Sequence, residues 1–159
     1  TCSLGNTAAS ISVWVYLSGN SGASTQIFGK YIESSNASVF RVGFNASFVP
    51  TYRYRAEGGP TAAEVVLDAA FTIPKFQWTL LSLSYDGSNI KLYFNGILAS
   101  TTAYSSDLDW AASDSWILGN LLTGSDLFPG FIEDVRADNV ARSQSYYIDM
   151  YKRGLFLGM

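Results

Sequence analysis

Histidine is missing from the 159-residue chain, and cysteine occurs once, as Cys2. Those two absences remove most of the side chains that enzymes use near neutral pH. A Ser-His-Asp or Cys-His constellation cannot be assembled, and one thiol builds neither a cysteine-held zinc nor an internal disulfide. Cys2 reads as a plain thiol, with an intermolecular link as its other use. Charge is scarce too: Asp, Glu, Lys and Arg make up 14% of the chain, against about 25% in an average soluble domain. Ten basic residues are scattered among thirteen acidic ones, for a net charge of -3. No basic stripe is available to neutralise phosphates, so nucleic acid is not an expected partner. Apolar runs such as Leu155-Phe156-Leu157 fall far short of the ~20 residues that cross a bilayer, so no membrane span is expected.

Apolar residues are abundant, at 48% of the chain, and 15% of all residues are aromatic. A chain of this length buries roughly 68–70% of the surface its unfolded form exposes, which supports one core without staples. A single domain over residues 1–159 is the economical reading. Turn signals recur at short intervals: Gly19-Asn20-Ser21-Gly22, Ser34-Ser35-Asn36, Glu57-Gly58-Gly59-Pro60, Asp86-Gly87-Ser88-Asn89, Asn95-Gly96, Gly124-Ser125-Asp126 and Pro129-Gly130. Between them lie strand-like stretches. From Val39 to Val49, Phe40, Val42, Phe44, Ala46 and Phe48 alternate with Arg41, Gly43, Asn45 and Ser47, the period-two pattern of a half-buried strand. Ile11 to Leu17 is apolar at nearly every position, as in a strand covered on both sides, and Leu80 to Tyr85 and Ile90 to Phe94 read as two more. Gly and Asn tolerate the positive φ of tight turns, which makes the two junctions after Tyr85 and Phe94 hairpin signals. Thr61 to Ala70 suits helix or strand. After Ser143, Tyr147, Ile148 and Tyr151 share a helical face, and Gly154 is the expected stop of a short helical turn. The fold class expected is all-β, an antiparallel β-sandwich or jelly roll closed by a short C-terminal helical turn.

The segment from Phe76 to Gly96 has Trp78, a hydrophobic strand ending in Tyr85-Asp86-Gly87, and a second strand ending in Tyr93-Phe94-Asn95-Gly96. It resembles the signature hairpin of laminin G-like jelly-roll domains, within the concanavalin A-like lectin/glucanase superfamily. Ile11 to Val15 resembles the early strand of that family, Gly130 to Arg136 its late strand, and Ser143 to Gly154 its closing turn. The family's late strand usually continues Ile-Tyr-Asn where this chain has Ala137-Asp138-Asn139. Family members also carry a first strand some way ahead of the Trp14 segment. The resemblance therefore implies a domain lacking its own first strand, with a sheet edge left open to another chain and an apolar tail, residues 155–159, that covers its own sandwich or a neighbour's.

Catalysis is not expected. The glucanase branch of the superfamily sets three carboxylates on one strand face as Glu-x-Asp-x-x-Glu, a motif this chain lacks. Glu133 and Asp134 are neighbours and should point to opposite faces of a strand. Sugar recognition combines an aromatic platform with planar polar groups. Trp110, beside Asp109 in a polar stretch, is the first candidate contact. Tyr52-Arg53-Tyr54-Arg55 alternates aromatic and basic residues, so that either the tyrosines or the arginines face a groove, with core packing as the other reading of Tyr52 and Tyr54. Trp14, Trp78 and Trp116 lie in apolar runs and read as core. Calcium occurs among laminin G-like relatives, and Asp107, Asp109 and Asp114 form the densest acidic stretch. The alternative there is a solvated loop with Asp as turn former. Asp86 and Asn95 read as turn residues rather than ligands. Asn36-Ala37-Ser38 and Asn45-Ala46-Ser47 are glycosylation sequons, and Asn45 falls on the polar face of its expected strand.

The resemblance implies a non-catalytic recognition module on an extracellular, cell or virion surface, with a carbohydrate or glycoprotein as partner and calcium as the cofactor to look for. The alternative is a structural assembly protein, such as a viral capsid or fibre component or a surface-filament subunit, joined through its open sheet edge and apolar tail.

Overall fold

The computed structural model describes residues 7–19, 25–32, 37–55, 64–107, 115–119, 127–156 and 158. Among the described residues ten strands and one helix follow one another: β1 Ala9–Leu17, β2 Thr25–Ile32, β3 Ala37–Phe44, β4 Pro50–Arg55, β5 Glu64–Asp68, β6 Trp78–Tyr85, β7 Asn89–Phe94, β8 Ile97–Ala103, β9 Ser115–Leu118, β10 Gly130–Asp138 and α1 Gln144–Phe156. Two five-stranded sheets result, in the orders β10-β1-β6-β7-β8 and β5-β4-β3-β2-β9, and every strand pair is antiparallel. The expected sandwich is present.

Alternation decides what lies between the sheets. Ile11, Val13, Val15 and Leu17 of β1, Leu81, Leu83 and Tyr85 of β6, and Ile90 and Leu92 of β7 meet Ile27, Phe28, Val42, Phe44, Tyr52 and Tyr54 from the other sheet. Each such large apolar side chain, fully buried, contributes about 1.5–3 kcal/mol. Lys30 is also buried, with its ammonium 5.6 Å from the centre of the Trp116 ring, close enough for cation–π attraction.

The opposite face of β1 and β6 is covered as well, which explains why both strands read as apolar throughout. Trp14 and Leu80 project outward into a second cluster with Met150 of α1, flanked by Trp78, Tyr146 and Tyr151. Three contacts fix the helix there. Ser143 caps its start by accepting from the Tyr146 N–H at 3.4 Å, the buried Tyr147 hydroxyl donates to the Leu83 carbonyl at 2.8 Å, and the β7–β8 turn packs beneath it. In that turn Gly96 has φ +81°, and a Cβ there would lie 2.8 Å from the Ile148 Cα. Glycine is required on both counts.

Three expectations are corrected and one open reading is settled. β3 ends at Phe44, and Asn45 begins a tight turn instead of extending a strand. Its Oδ1 accepts from the N–H groups of Ser47 at 2.9 Å and Val49 at 3.2 Å, because an Asn side chain competes well for local backbone donors. Residues 64–68 of the ambivalent Thr61 to Ala70 stretch form the strand β5. The closing element is a helix of 13 residues, and it runs through Gly154 instead of stopping there. Finally, β10 bulges opposite β1, between the pairs Ser12↔Arg136 and Trp14↔Glu133, with Asp134 at φ +47°. Two residues then face one. Ile132, Val135 and Ala137 still pack on the core, and the simple alternation that separates Glu133 from Asp134 fails.

Candidate functional site

The residues singled out by sequence do not converge. Tyr52 and Tyr54 are each 1% exposed and lie in the core, so neither ring offers a platform to a ligand. Tyr54 meets Tyr104 edge-on at 4.6 Å, and Tyr104 meets Tyr85 at 5.7 Å. Burial first, then the neighbouring phenols, raises the Tyr54 pKa to about 12. Tyr52 is raised further by burial. Arg53 takes the other face of β4, directly across from Arg41 of β3. Asp107 is exposed and follows a segment anchored by the Tyr85 hydroxyl, which donates to the Ser106 carbonyl at 2.8 Å. Trp110, Asp109, Asp114 and Asn36 lie outside the described residues. Among the described residues no three acidic or sulfur ligands gather as a metal site, so Asp107 alone does not assemble calcium donors. Asp86 and Asn95 act as turn residues. Asp86 Oδ1 accepts from the Ser88 and Asn89 N–H groups at 3.1 and 2.7 Å, and Asn95 Oδ1 accepts from the Leu80 N–H at 2.9 Å.

A different surface combines concavity with polar groups. Between β10 and α1 lies a cleft of about 200 Å³. Its floor is the edge of the Trp14 indole, Met150 and the backbone of Gly154. Gly154 is indispensable to that floor, because a Cβ on it would fall 2.1 Å from Trp14 Cζ2. Trp14 is in turn held by Tyr151, stacked at 5.7 Å with 16° between the rings.

The cleft has two polar walls. On the β10 side, the bulge turns Asp134 toward Arg136. The guanidinium donates to the carboxylate twice, Nε to Oδ1 and Nη2 to Oδ2, both at 2.8 Å. This bidentate pairing is stronger and more directional than a single contact. Its hydrogen bond to Asp134 holds the Arg136 guanidinium well above its ordinary pKa, against the opposing cost of desolvation and with a smaller contribution from Tyr146. On the α1 side stand Tyr146, Asp149 and Arg153, spaced i, i+3 and i+7 on one helical face. Asp149 and Arg153 are exposed.

The position of α1 is set from the far end of β1. Ser10 Oγ donates to the Val140 carbonyl at 2.6 Å and accepts from the Arg142 N–H at 2.7 Å. Arg142 then pairs with Asp138 at 3.0 Å and lies over the Tyr146 ring at 4.7 Å. The sequence held a signal for this site in the shared helical face of Tyr146, Asp149, Met150, Arg153 and Gly154. Taking Gly154 as a stop concealed it.

A family profile of laminin G type, described as the concanavalin A-like lectin/glucanases superfamily, matches residues 2–146. No curated protein matches in sequence. Solved structures of similar fold include a protein from Bacteroides ovatus provisionally assigned to carbohydrate binding, with TM-score 0.69, 16% identity, and 90% of this chain and 40% of that one covered. Domain 4 of AbnA, a GH43 extracellular arabinanase from Geobacillus stearothermophilus, solved with arabinotriose, gives TM-score 0.67 and 21% identity over 93% of this chain and 68% of that one. The receptor binding domain of botulinum neurotoxin C/D mosaic serotype gives TM-score 0.67 and 13% identity over 93% and 36%. The chain thus spans 40% of the length of the first of these and 36% of the third.

Proposed function

The chain belongs to the concanavalin A-like lectin/glucanases superfamily, and from that premise we propose that it is a non-catalytic carbohydrate-recognition module of a secreted or surface protein, with the α1–β10 cleft as its binding site. The observation that carries the reading is the make-up of the cleft, an apolar floor between a carboxylate–guanidinium pair and a second, exposed Asp and Arg. A sugar ring presents apolar C–H faces and hydroxyls that both donate and accept. The half-buried Tyr146 ring above that buried floor suits the first, and exposed Asp149 with Arg153 suits the second. Sites for drug-sized ligands run to about 300–1,000 Å³, so this smaller cleft fits one ring at the end or side of a chain. The arabinotriose held by one neighbour and the binding assignment of another support the ligand class.

Catalysis is left out of the reading because the chain has no histidine and no strand with the three-carboxylate motif. Asp109 and Trp110 remain the alternative contact, with calcium at Asp107, Asp109 and Asp114 as its companion. Glycan-array binding with millimolar calcium and with chelator, followed by titration of Arg153→Ala and Trp110→Ala, tests both. The cleft reading expects metal-independent binding, lost in Arg153→Ala with melting temperature unchanged. Loss in Trp110→Ala alone, or abolition by chelator, would move the site to the loop.

A further inference from the structure

The motif Asn45-Ala46-Ser47 plays no part in the cleft, and the fold gives it a defined shape. It stands in the turn between β3 and β4. Backbone hydrogen bonds close that turn, from the Phe48 N–H to the Asn45 carbonyl at 2.9 Å and from the Asn45 N–H to the Val49 carbonyl at 3.1 Å. Asn45 Oδ1 accepts from the Ser47 and Val49 N–H groups, which fixes the plane of the side-chain amide and commits its acceptor to the chain. Its donor end is uncommitted: among the described residues none accepts a hydrogen bond from Asn45 Nδ2, and none pairs with Ser47 Oγ. Asn45 is half-buried, and Ala46 and Ser47 are exposed. The turn accounts for Asn45, because an Asn side chain caps nearby backbone N–H groups. It does not account for the hydroxyl of Ser47, since the cap uses only the backbone N–H of that residue.

We propose that Asn45 is an N-glycosylation acceptor, modified when the chain passes through a secretory route that holds an oligosaccharyltransferase and a lipid-diphosphate-linked oligosaccharide. Asn45 Nδ2 attacks C1 of the first sugar. The N–C1 bond forms as the C1–O bond breaks, the electron pair leaves with the lipid diphosphate, and one Nδ2 proton passes to a base of the transferase. Three features of the turn suit the acceptor role. Ala46 is a small middle residue, where proline would block the motif. Ser47 presents the hydroxyl by which the motif is read, exposed and without a task in the fold. A glycan on Nδ2 costs the fold no hydrogen bond, because the cap rests on Oδ1, which the modified amide retains. The sugar stands on the second sheet, whereas α1 and the cleft lie on the outer face of the first, so the cleft stays open. The proposal rests on the secreted or surface setting of the chain and requires no glycan ligand.

Secretion of the full chain from cultured eukaryotic cells behind an added leader, followed by tryptic mapping, is the test. Arg41 and Arg53 bound a peptide of residues 42–53 that holds Asn45, and Lys30 and Arg41 bound a separate one that holds Asn36, so the two sequons are read apart. The 42–53 peptide is expected to carry a glycan that peptide-N-glycosidase removes, leaving aspartate at position 45. Ser47→Ala should abolish the modification and Ser47→Thr should keep it, with both melting as the parent does, because the Ser47 side chain is exposed. Asn45→Asp keeps the oxygen that caps the turn and loses the nucleophile. It should fold and stay unmodified, which separates loss of the acceptor from loss of the turn. The added leader supplies the route, so the outcome does not depend on whether the cleft binds any glycan. A folded, secreted parent whose 42–53 peptide is wholly unmodified, or a modification that persists in Ser47→Ala, would overturn the proposal.

Discussion

Gly154→Ala probes the seat of α1 more sharply than any other single change. A Cβ at this position would stand 2.1 Å from Trp14 Cζ2 and 2.8 Å from Cε2 and Cη2, more than an ångström short of ordinary contact at the nearest atom. The indole is 1% exposed and cannot retreat, since Leu80 and Met150 box it in and Tyr151 stacks on it. The helix has to lift. Overpacking of this kind costs about 1–3 kcal/mol, offset by the roughly 1 kcal/mol that alanine gains over glycine inside a helix. A net loss of up to about 2 kcal/mol should lower the melting temperature by up to roughly 8 °C for a domain of this size. Scanning calorimetry measures it. In a Trp14→Phe background, which removes the clashing edge of the indole, the same alanine should be neutral or stabilising, and the difference between backgrounds is the coupling. A parent-background Gly154→Ala that melts higher than the parent would refute the seating of α1 on Trp14 and remove the floor of the cleft.

Three further outcomes are expected. Stability should fall in alkali: burial holds the Tyr54 phenol near 12 and those of Tyr52 and Tyr147 higher, so folding strength is full below the unfolded value of about 10 and declines as pH rises through 12, by up to about 1.4 kcal/mol per unit for each group. Melting curves from pH 8 to 12, with phenolate absorbance as the second signal, would show no such decline if these rings were solvated. Tyr147→Phe should cost about 1–2 kcal/mol in urea unfolding, because the Leu83 carbonyl loses a buried donor at 2.8 Å, and a neutral result would contradict that bond. Asp86→Ala removes two turn hydrogen bonds and the 2.8 Å pair with Lys91. The Lys91 hydrogen bond is the main reason the Asp86 carboxyl sits below its ordinary pKa, so its contribution is present above about pH 4 and lost as pH falls through the depressed value. The variant should therefore differ from the parent at neutral pH and converge with it in acid.

Much of the fold was legible in the chain because its signals are local. Asp86-Gly87 and Asn95-Gly96 demand the positive φ that Gly87, Asn95 and Gly96 adopt, and the near-continuous apolar run of β1 meant cover on both faces, which the second sheet and α1 supply. The misses come from effects that local period cannot carry. Alternation at Tyr52 to Arg55 separates tyrosine from arginine without saying which side holds the second sheet. A one-residue bulge at Asp134 depends on the strand opposite. Gly154 looks like punctuation until Trp14, 140 positions away in the chain, is known to fill the space its missing Cβ leaves. The candidate site is built from those last two features, the bulge and the close glycine contact, and so was the part least visible in one sequence.

Titrating the isotope-labelled domain with the best array ligand, and following backbone amide shifts, locates the glycan on or away from the α1–β10 cleft. Saturating changes confined to Asp134, Arg136 and residues 146–154 are predicted. Changes centred instead on residues 104–115, with the helix amides unmoved, would contradict it.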